Sequence, residues 1–306
     1  IYLQNPYQRA SFFGFADYQI SEDLTFFSEV SYTYSYHDRL LAPYSLSNLY
    51  ISESHPNISP EFAEVVRLLE GEDPDNRIRV RTRIPEGGSR RYTQNRHYGR
   101  LVSGLKGQLS ATWDFEGYIN YGLLRRQRIH RNGYSRINLQ NALGCPISSS
   151  DTNLYPDDCP EELLFPDGVR INPFGAGNIS DEEIKYLQGT PLISHVKTDQ
   201  LSAAFHLTGT VNHFLAATPI LIATGLEYRY EKASRDVDPR LGTGEMIGFN
   251  EEIGYTGSFN VQEAFAEVGI PLLANKPFFH KLDFTGGVRL SHYSTAGNVL
   301  AWRAGL

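Results

Sequence analysis

The chain has 306 residues, with 28 Lys and Arg against 35 Asp and Glu, a formal net charge of -7, and only two cysteines. That acidic balance excludes general nucleic-acid binding, which needs a basic surface. No run approaches the roughly 20 consecutive apolar residues of a membrane helix. Nineteen tyrosines and 17 phenylalanines accompany many segments of two-residue hydrophobic period and few of helical period, so the fold class is all-β.

The first two strands run from Phe12 to Ile20 and from Leu24 to Tyr36, around the polar turn Ser21-Glu22-Asp23. A long section follows, from about His37 to Asn95. Within it, Ser59, Pro60 and Gly71 bracket a short helix with an apolar stripe of Phe62, Val65, Val66 and Leu69. Arg77, Arg79, Arg81 and Arg83 alternate with Ile78, Val80, Thr82 and Ile84, so a strand here carries four guanidiniums on one face. Such forks suit the phosphates of lipopolysaccharide or an anionic substrate. The plainer reading is a solvated hairpin.

Strands near Arg96 to Ser110 and Trp113 to Arg128 come next, then a second long section from about Ile129 to Pro191. Cys145 and Cys159 lie there with 13 residues between them. They read as a disulfide of an oxidising compartment, or as two free thiols. Ser180 with Glu183 makes a capping box for another short helix reaching about Leu187. Tyr155, Phe165, Phe174 and Tyr186 either stack on a ligand or pack the loop.

The remaining strands lie near Lys197 to Val211, Pro219 to Lys232, Phe259 to Ile270, Lys281 to Tyr293 and Val299 to Leu306, about nine in all. From Ile220 to Glu231 one face is Leu221, Ala223, Gly225, Glu227, Arg229 and Glu231. The other is Ile220, Ile222, Thr224, Leu226, Tyr228 and Tyr230. A sheet that is apolar on one face and charged on the other fits an antiparallel transmembrane β-barrel with lipid outside and water within.

Connections are short between strands one and two, three and four, five and six, and seven and eight, and long after two, four and six. Outer-membrane barrels have short periplasmic turns and long extracellular loops, which puts loops of about 38–95, 129–191 and 233–258 outside the cell. The expected periplasmic aromatics are Phe12, Phe13, Trp113, Phe115, Phe214, Phe278 and Phe279. Tyr32, Tyr34, Tyr36, Tyr228 and Tyr230 form the expected outer girdle.

The lumen face carries Asp114, Glu116, Gln200, His206, Glu227, Arg229, Glu231, Glu263, Glu267, Asp283, Arg289 and Arg303. These form a polar track for substrate and plug movement, or they simply pair across the wall. The nine histidines are scattered, without the spacing of a zinc pair. With no nucleophile elbow and no phosphate-binding glycine loop, the expectation is no catalytic residue, no metal, no cofactor and no enzyme.

Gly225 to Glu231 and Val261 to Leu272 resemble the middle of a TonB-dependent outer-membrane receptor. Leu282 to Arg289, Trp302 to Leu306 and the loop segment Ile171-Asn172-Pro173-Phe174-Gly175 are similar to further parts of that family. The resemblance implies a 22-stranded barrel around an N-terminal plug, importing scarce or bulky nutrients with energy from the TonB complex. It implies a bacterial outer-membrane location, with lipid, lipopolysaccharide, the TonB complex and a small-molecule or oligosaccharide substrate as partners. Neither a plug nor a Ton box precedes the first strand, and the chain starts at Ile1 and stops inside a strand. The expectation is therefore an internal fragment, residues 1–306 forming part of the barrel domain. Two readings stand beside this one: a soluble or surface all-β ligand-binding module, and a passive porin-like channel. The fold does not choose among siderophores, oligosaccharides, cobalamin and peptides.

Overall fold

The computed structural model describes residues 4–71, 77–147, 156–157, 159, 162–212, 219–277 and 279–306. In chain order, β1 (Tyr7–Ser21) and β2 (Leu24–Leu41) precede β3 (Leu46–Ser52), α1 (Pro60–Glu70), β4 (Arg77–Thr82) and a 3-10 turn at Pro85–Gly87. β5 (Arg90–Ser110) and β6 (Trp113–Arg131) precede the two-residue β7 (Tyr134–Ser135), α2 (Arg136–Ala142) and α3 (Asp181–Gln188). Last come β8 (Leu192–Val211), β9 (Ile220–Asp236), α4 (Pro239–Gly242), β10 (Met246–Ile247), β11 (Tyr255–Lys276), β12 (Phe279–Tyr293) and β13 (Gly297–Gly305).

The protein is all-β. Nine strands form one antiparallel sheet in the order β1-β2-β5-β6-β8-β9-β11-β12-β13, each long strand beside its nearest long neighbour in sequence. Among the described residues no helix is long and apolar enough to cross a membrane. All nine expected strands are present, and the long connections shorten to 42–89, 132–191 and 237–254. Pairing continues beyond the alternating segments, as in Leu41 opposite Arg90 and His195 opposite Asp236. Where both faces of a strand meet polar surroundings, hydrophobic alternation stops marking it, although its ladder of backbone hydrogen bonds goes on.

The register is staggered. At the short-turn end, Leu24 of β2 is level with Gly107, Phe115, Leu207 and Thr224, whereas the β8–β9 connection closes at Ile220. Four residues over four strand steps is one residue per strand. On the apolar face, the first polar residues above the band climb at the same average rate, six residues over the six steps from β13 to β5. They are Gln262, His292 and Asn298 on the row of Tyr228, Asp199 on the row of Lys232, and His97 and Arg125 on the row of Ser234. A rise of about 3.3 Å per strand spacing of about 4.8 Å inclines the band by about 35°. Closed barrels tilt their strands by about 35 to 45°.

The buried core lies at the long-loop end. Leu46, Leu49 and Ile51 of β3, Ile78 of β4, Tyr134, Leu139, Leu143, Ile171 and Leu187 pack into one cluster contributed by two of the long connections, with Ile247 from the third. β3 pairs with β4 inside the first connection, and β7 pairs with β10 to tie the second to the third. Gln140 is fully buried and fastens this cap. Its side chain accepts from Tyr50 N–H at 3.1 Å and donates to the carbonyls of Tyr50 at 3.0 Å and Cys145 at 3.2 Å. Cys145 and Cys159 form a disulfide with Cα atoms 4.5 Å apart.

Both expected helices form. Ser59 caps α1, and Ser180 and Glu183 complete a capping box on α3. The α1 stripe differs from expectation, because Ala63 and Val66 face the core while Val65 and Leu69 are exposed. Phe174 and Tyr186 pack against the cap core, and Phe165 lies edge-on to His55. Tyr155, Phe214 and Phe278 lie outside the described residues. In the Asn172-Pro173-Phe174-Gly175 segment, Asn172 Oδ1 accepts from Phe174 N–H at 3.1 Å and Gly175 takes a φ of 80°, a turn that fits glycine.

Phe12 and Phe13 are not beside the short turn. Phe12 is opposite Tyr32, about 30 Å up the strand from Ser21, and Phe13 shares the face of Asp17. β1 runs down toward the turn, so its first residues are the farthest from it.

Candidate functional site

Residues directly opposite in an antiparallel ladder share a face. By that rule Asp114, Glu116, His206, Glu227, Arg229, Glu263, Glu267, Asp283, Arg289 and Arg303 all project from one face of the sheet. Most lie on four adjacent rows. Glu116, His206, Gly225, Phe265 and Arg289 make one row, with Glu227, Glu263 and Ser291 on the next. Asp114, Glu267 and Arg303 lie on the row below, and Arg229 on the row above.

Arg289 sits at the centre, 3.3 Å from Glu227 and 3.5 Å from Glu263, with its guanidinium over the Phe265 ring. His206 Nε2 is 3.3 Å from the other Glu227 oxygen, and Ser291 Oγ donates to Glu263 at 2.6 Å. Gly225 allows this crowding, since a Cβ there would come within 2.7 Å of both the His206 and Phe265 rings. Arg303 pairs with Glu267 at 2.8 Å, Arg229 with Glu231 at 3.2 Å and Lys281 with Asp283 at 2.6 Å. The pattern is a wall of ion pairs, with Arg289 and Arg303 pairing across strands and Arg229–Glu231 and Lys281–Asp283 along them. Replacing Arg289 by Leu leaves Glu227 directly opposite Glu263, and like charges in that position are expected to cost about 1 kcal/mol. An unchanged urea midpoint in Arg289→Leu would contradict this.

The opposite face is apolar and nothing among the described residues covers it. Leu226 is 62% exposed and Trp302 77%, with Phe26, Ile119, Phe205 and Leu290 in the same band. Tyr32, Tyr34, Tyr36, Tyr228 and Tyr230 share this face near its upper margin, where Tyr32 Oη meets His97 Nδ1 at 2.7 Å. Tyr121 donates to Asp199 at 2.8 Å, and Arg125 pairs with the same carboxylate at 2.5 Å. From Ile220 to Tyr230 the band spans about 33 Å along the strand, or about 27 Å once projected at the 35° tilt.

The arginine hairpin forms, with β4 covering Arg77 to Thr82 and Arg83 just beyond it. Its guanidiniums are tied to neighbouring loop atoms. Arg77 reaches Pro156 O at 3.0 Å and lies over Tyr50, Arg79 reaches Asn48 Oδ1 at 2.5 Å, and Arg83 reaches Pro43 O at 2.9 Å. Arg81 contacts Ser45 Oγ at 3.4 Å.

The buried His55 is a titratable group of the cap. Its Nδ1 accepts from Asn57 N–H, and its Nε2 has no hydrogen-bond partner among the described residues. Burial, helped by Arg170, pushes its pKa down to about 4. The unfolded imidazole titrates near 6.5. The folded value is the lower one, so the neutral ring's contribution is complete above pH 6.5 and is lost as pH falls toward 4. Proteolysis of the cap loops should therefore accelerate between pH 6.5 and 4, and His55→Gln should flatten the profile. A wild-type profile flat across that window would contradict the assignment.

Sequence reasoning passed over Arg39, Arg126 and Arg128, which share with Arg96 the polar face above the ion-pair rows. The signal was present in the two-residue spacing of Arg126 and Arg128 inside a strand.

The fold and site define an all-β chain whose one large sheet has a charged face and an uncovered apolar face. No protein-family model and no curated protein matches this chain. Among solved structures, it is similar to a variant of the ferric enterobactin receptor from Pseudomonas aeruginosa, at 11% identity and a TM-score of 0.47, covering 97% of this chain and 30% of that one. The chain thus spans under a third of that receptor's length.

Proposed function

We propose that this sheet is part of the wall of an outer-membrane β-barrel receptor that imports a scarce or bulky nutrient with energy supplied through the TonB complex. The observation that carries the reading is the apolar band. It is uncovered, its two margins climb together by one residue per strand, and its projected height is close to the roughly 25 Å of an outer-membrane barrel. A soluble module would have to bury Leu226, Phe205, Leu290 and Trp302, and nothing among the described residues does so. The ion-paired face then lines the interior, the short turns face the periplasm, and the cap covers the outer mouth.

The test is extraction and electrophoresis, followed by uptake. The protein should require detergent for solubility and migrate differently before and after heating, and nutrient uptake should stop when the TonB complex is removed. Solubility without detergent with unchanged mobility would refute the membrane reading. Uptake that persists without the TonB complex would refute energy coupling and leave a passive channel.

A further inference from the structure

We infer that the polar face beneath the cap holds an anion-binding site built by Arg96, Arg126 and Arg128 with Arg39. Its ligand is an oxyanion bearing phosphate or carboxylate groups. The inference rests on the barrel reading above only in making this face the inside of the mouth.

Arg96 of β5 is directly opposite Arg126 of β6. Two guanidiniums in that position repel, whereas a carboxylate opposite either one would stabilise it. Here, among the described residues, none of Arg39, Arg96, Arg126 and Arg128 forms an ion pair. On the row of Arg126 the ion pair belongs instead to Arg235, which is joined to Glu252. Arg126 Nε is out of contact with solvent and has no hydrogen-bond partner among the described residues. A guanidinium whose Nε is shut off from water without a partner is costly in a resting wall and useful in a site that a charged ligand completes.

The surroundings orient the cluster. Arg39 and Arg128 both lie over the Tyr92 ring, at 5.8 and 5.9 Å from its centroid, and Tyr92 meets His130 edge-on at 4.3 Å. Arg128 Nε also reaches Gln94 Oε1 at 3.4 Å. His130 packs against Phe249, and Leu192 against Leu241 and Met246, so the third loop roofs the same face just above the arginines. Planar guanidiniums held on an aromatic ring keep their outer N–H groups available for forked hydrogen bonds to carboxylate or phosphate. The Arg77 to Arg83 hairpin lacks this availability, because loop carbonyl and side-chain oxygens already take its guanidiniums.

Calorimetric titration of the detergent-solubilised protein with inorganic pyrophosphate, citrate and neutral maltotriose tests the assignment. Pyrophosphate or citrate should bind and maltotriose should not. Arg126→Gln and Arg96→Gln should each weaken anion binding by about tenfold or more, while Arg79→Gln leaves it unchanged. Removing one of two opposed charges should also leave the ligand-free melting temperature of Arg126→Gln equal to or above that of the wild type, and abolish the rise that pyrophosphate gives the wild type. If Arg126→Gln does not fold, Arg96→Gln at the more exposed position decides. No anion binding by the wild type, or equal loss in Arg79→Gln, overturns the proposal. Heated and unheated electrophoresis of the same samples separates the two readings. A heat-modifiable protein that ignores anions refutes only this site, and anion binding by a protein without a detergent requirement refutes only the barrel.

Discussion

Replacing Leu226 by Arg is expected to cost about 2 to 4 kcal/mol, the penalty for a guanidinium near the midplane of a lipid-facing barrel wall. Leu226 lies between Phe205 and Ala264 on the apolar face, six residues above Ile220 and six below Lys232, so its side chain has no short route to either margin. The same change at Ser54, exposed in the cap, should fall within about 0.5 kcal/mol of wild type. Reversible unfolding in lipid vesicles with urea measures both. Similar losses at the two positions would contradict the assigned face, and a negligible loss at Leu226 would mean that the band is not in hydrocarbon.

A second large effect is expected in the cap. Gln140→Leu keeps the volume roughly constant but strips partners from the Tyr50 N–H, the Tyr50 carbonyl and the Cys145 carbonyl. Each buried backbone group left unpaired costs about 1 to 3 kcal/mol, so a loss of about 3 to 5 kcal/mol is expected. It should be confined to the cap, since these bonds join the first and second long connections without touching the large sheet. Hydrogen exchange separates the two regions: amides of β3 and α2 should exchange faster in the variant while those of β6 and β9 do not change. Acceleration throughout the sheet, or none in β3, would contradict this.

The large sheet was legible because a strand between two unlike solvents has a two-residue period, and Ile220 to Glu231 displays it over twelve residues. The short turns were legible from polar clusters such as Ser21-Glu22-Asp23, and the helix starts from the hydroxyl caps Ser59 and Ser180. The upper ends of the strands were hidden, because beyond the band Arg90 to Asn95 and His195 to Val196 pair through backbone with no alternation to announce it. The cap was hidden for another reason. Its core joins Leu46, Tyr134 and Ile247 across some two hundred residues, and no local pattern encodes contacts of that range. Arg126 reads as one more basic residue in a charged run, and only the register that sets it against Arg96 makes it unusual.

Single-cysteine labelling along β9 tests the lipid-facing assignment most directly. The two native cysteines are bonded to each other, so a fluorophore can be placed at Ile222, Thr224 and Leu226 and, separately, at Ala223, Glu227 and Arg229. In vesicles, brominated acyl chains should quench the first set and aqueous iodide the second, in strict alternation. Quenching of both sets by iodide, or the absence of alternation, would contradict a wall with lipid on one face and water on the other.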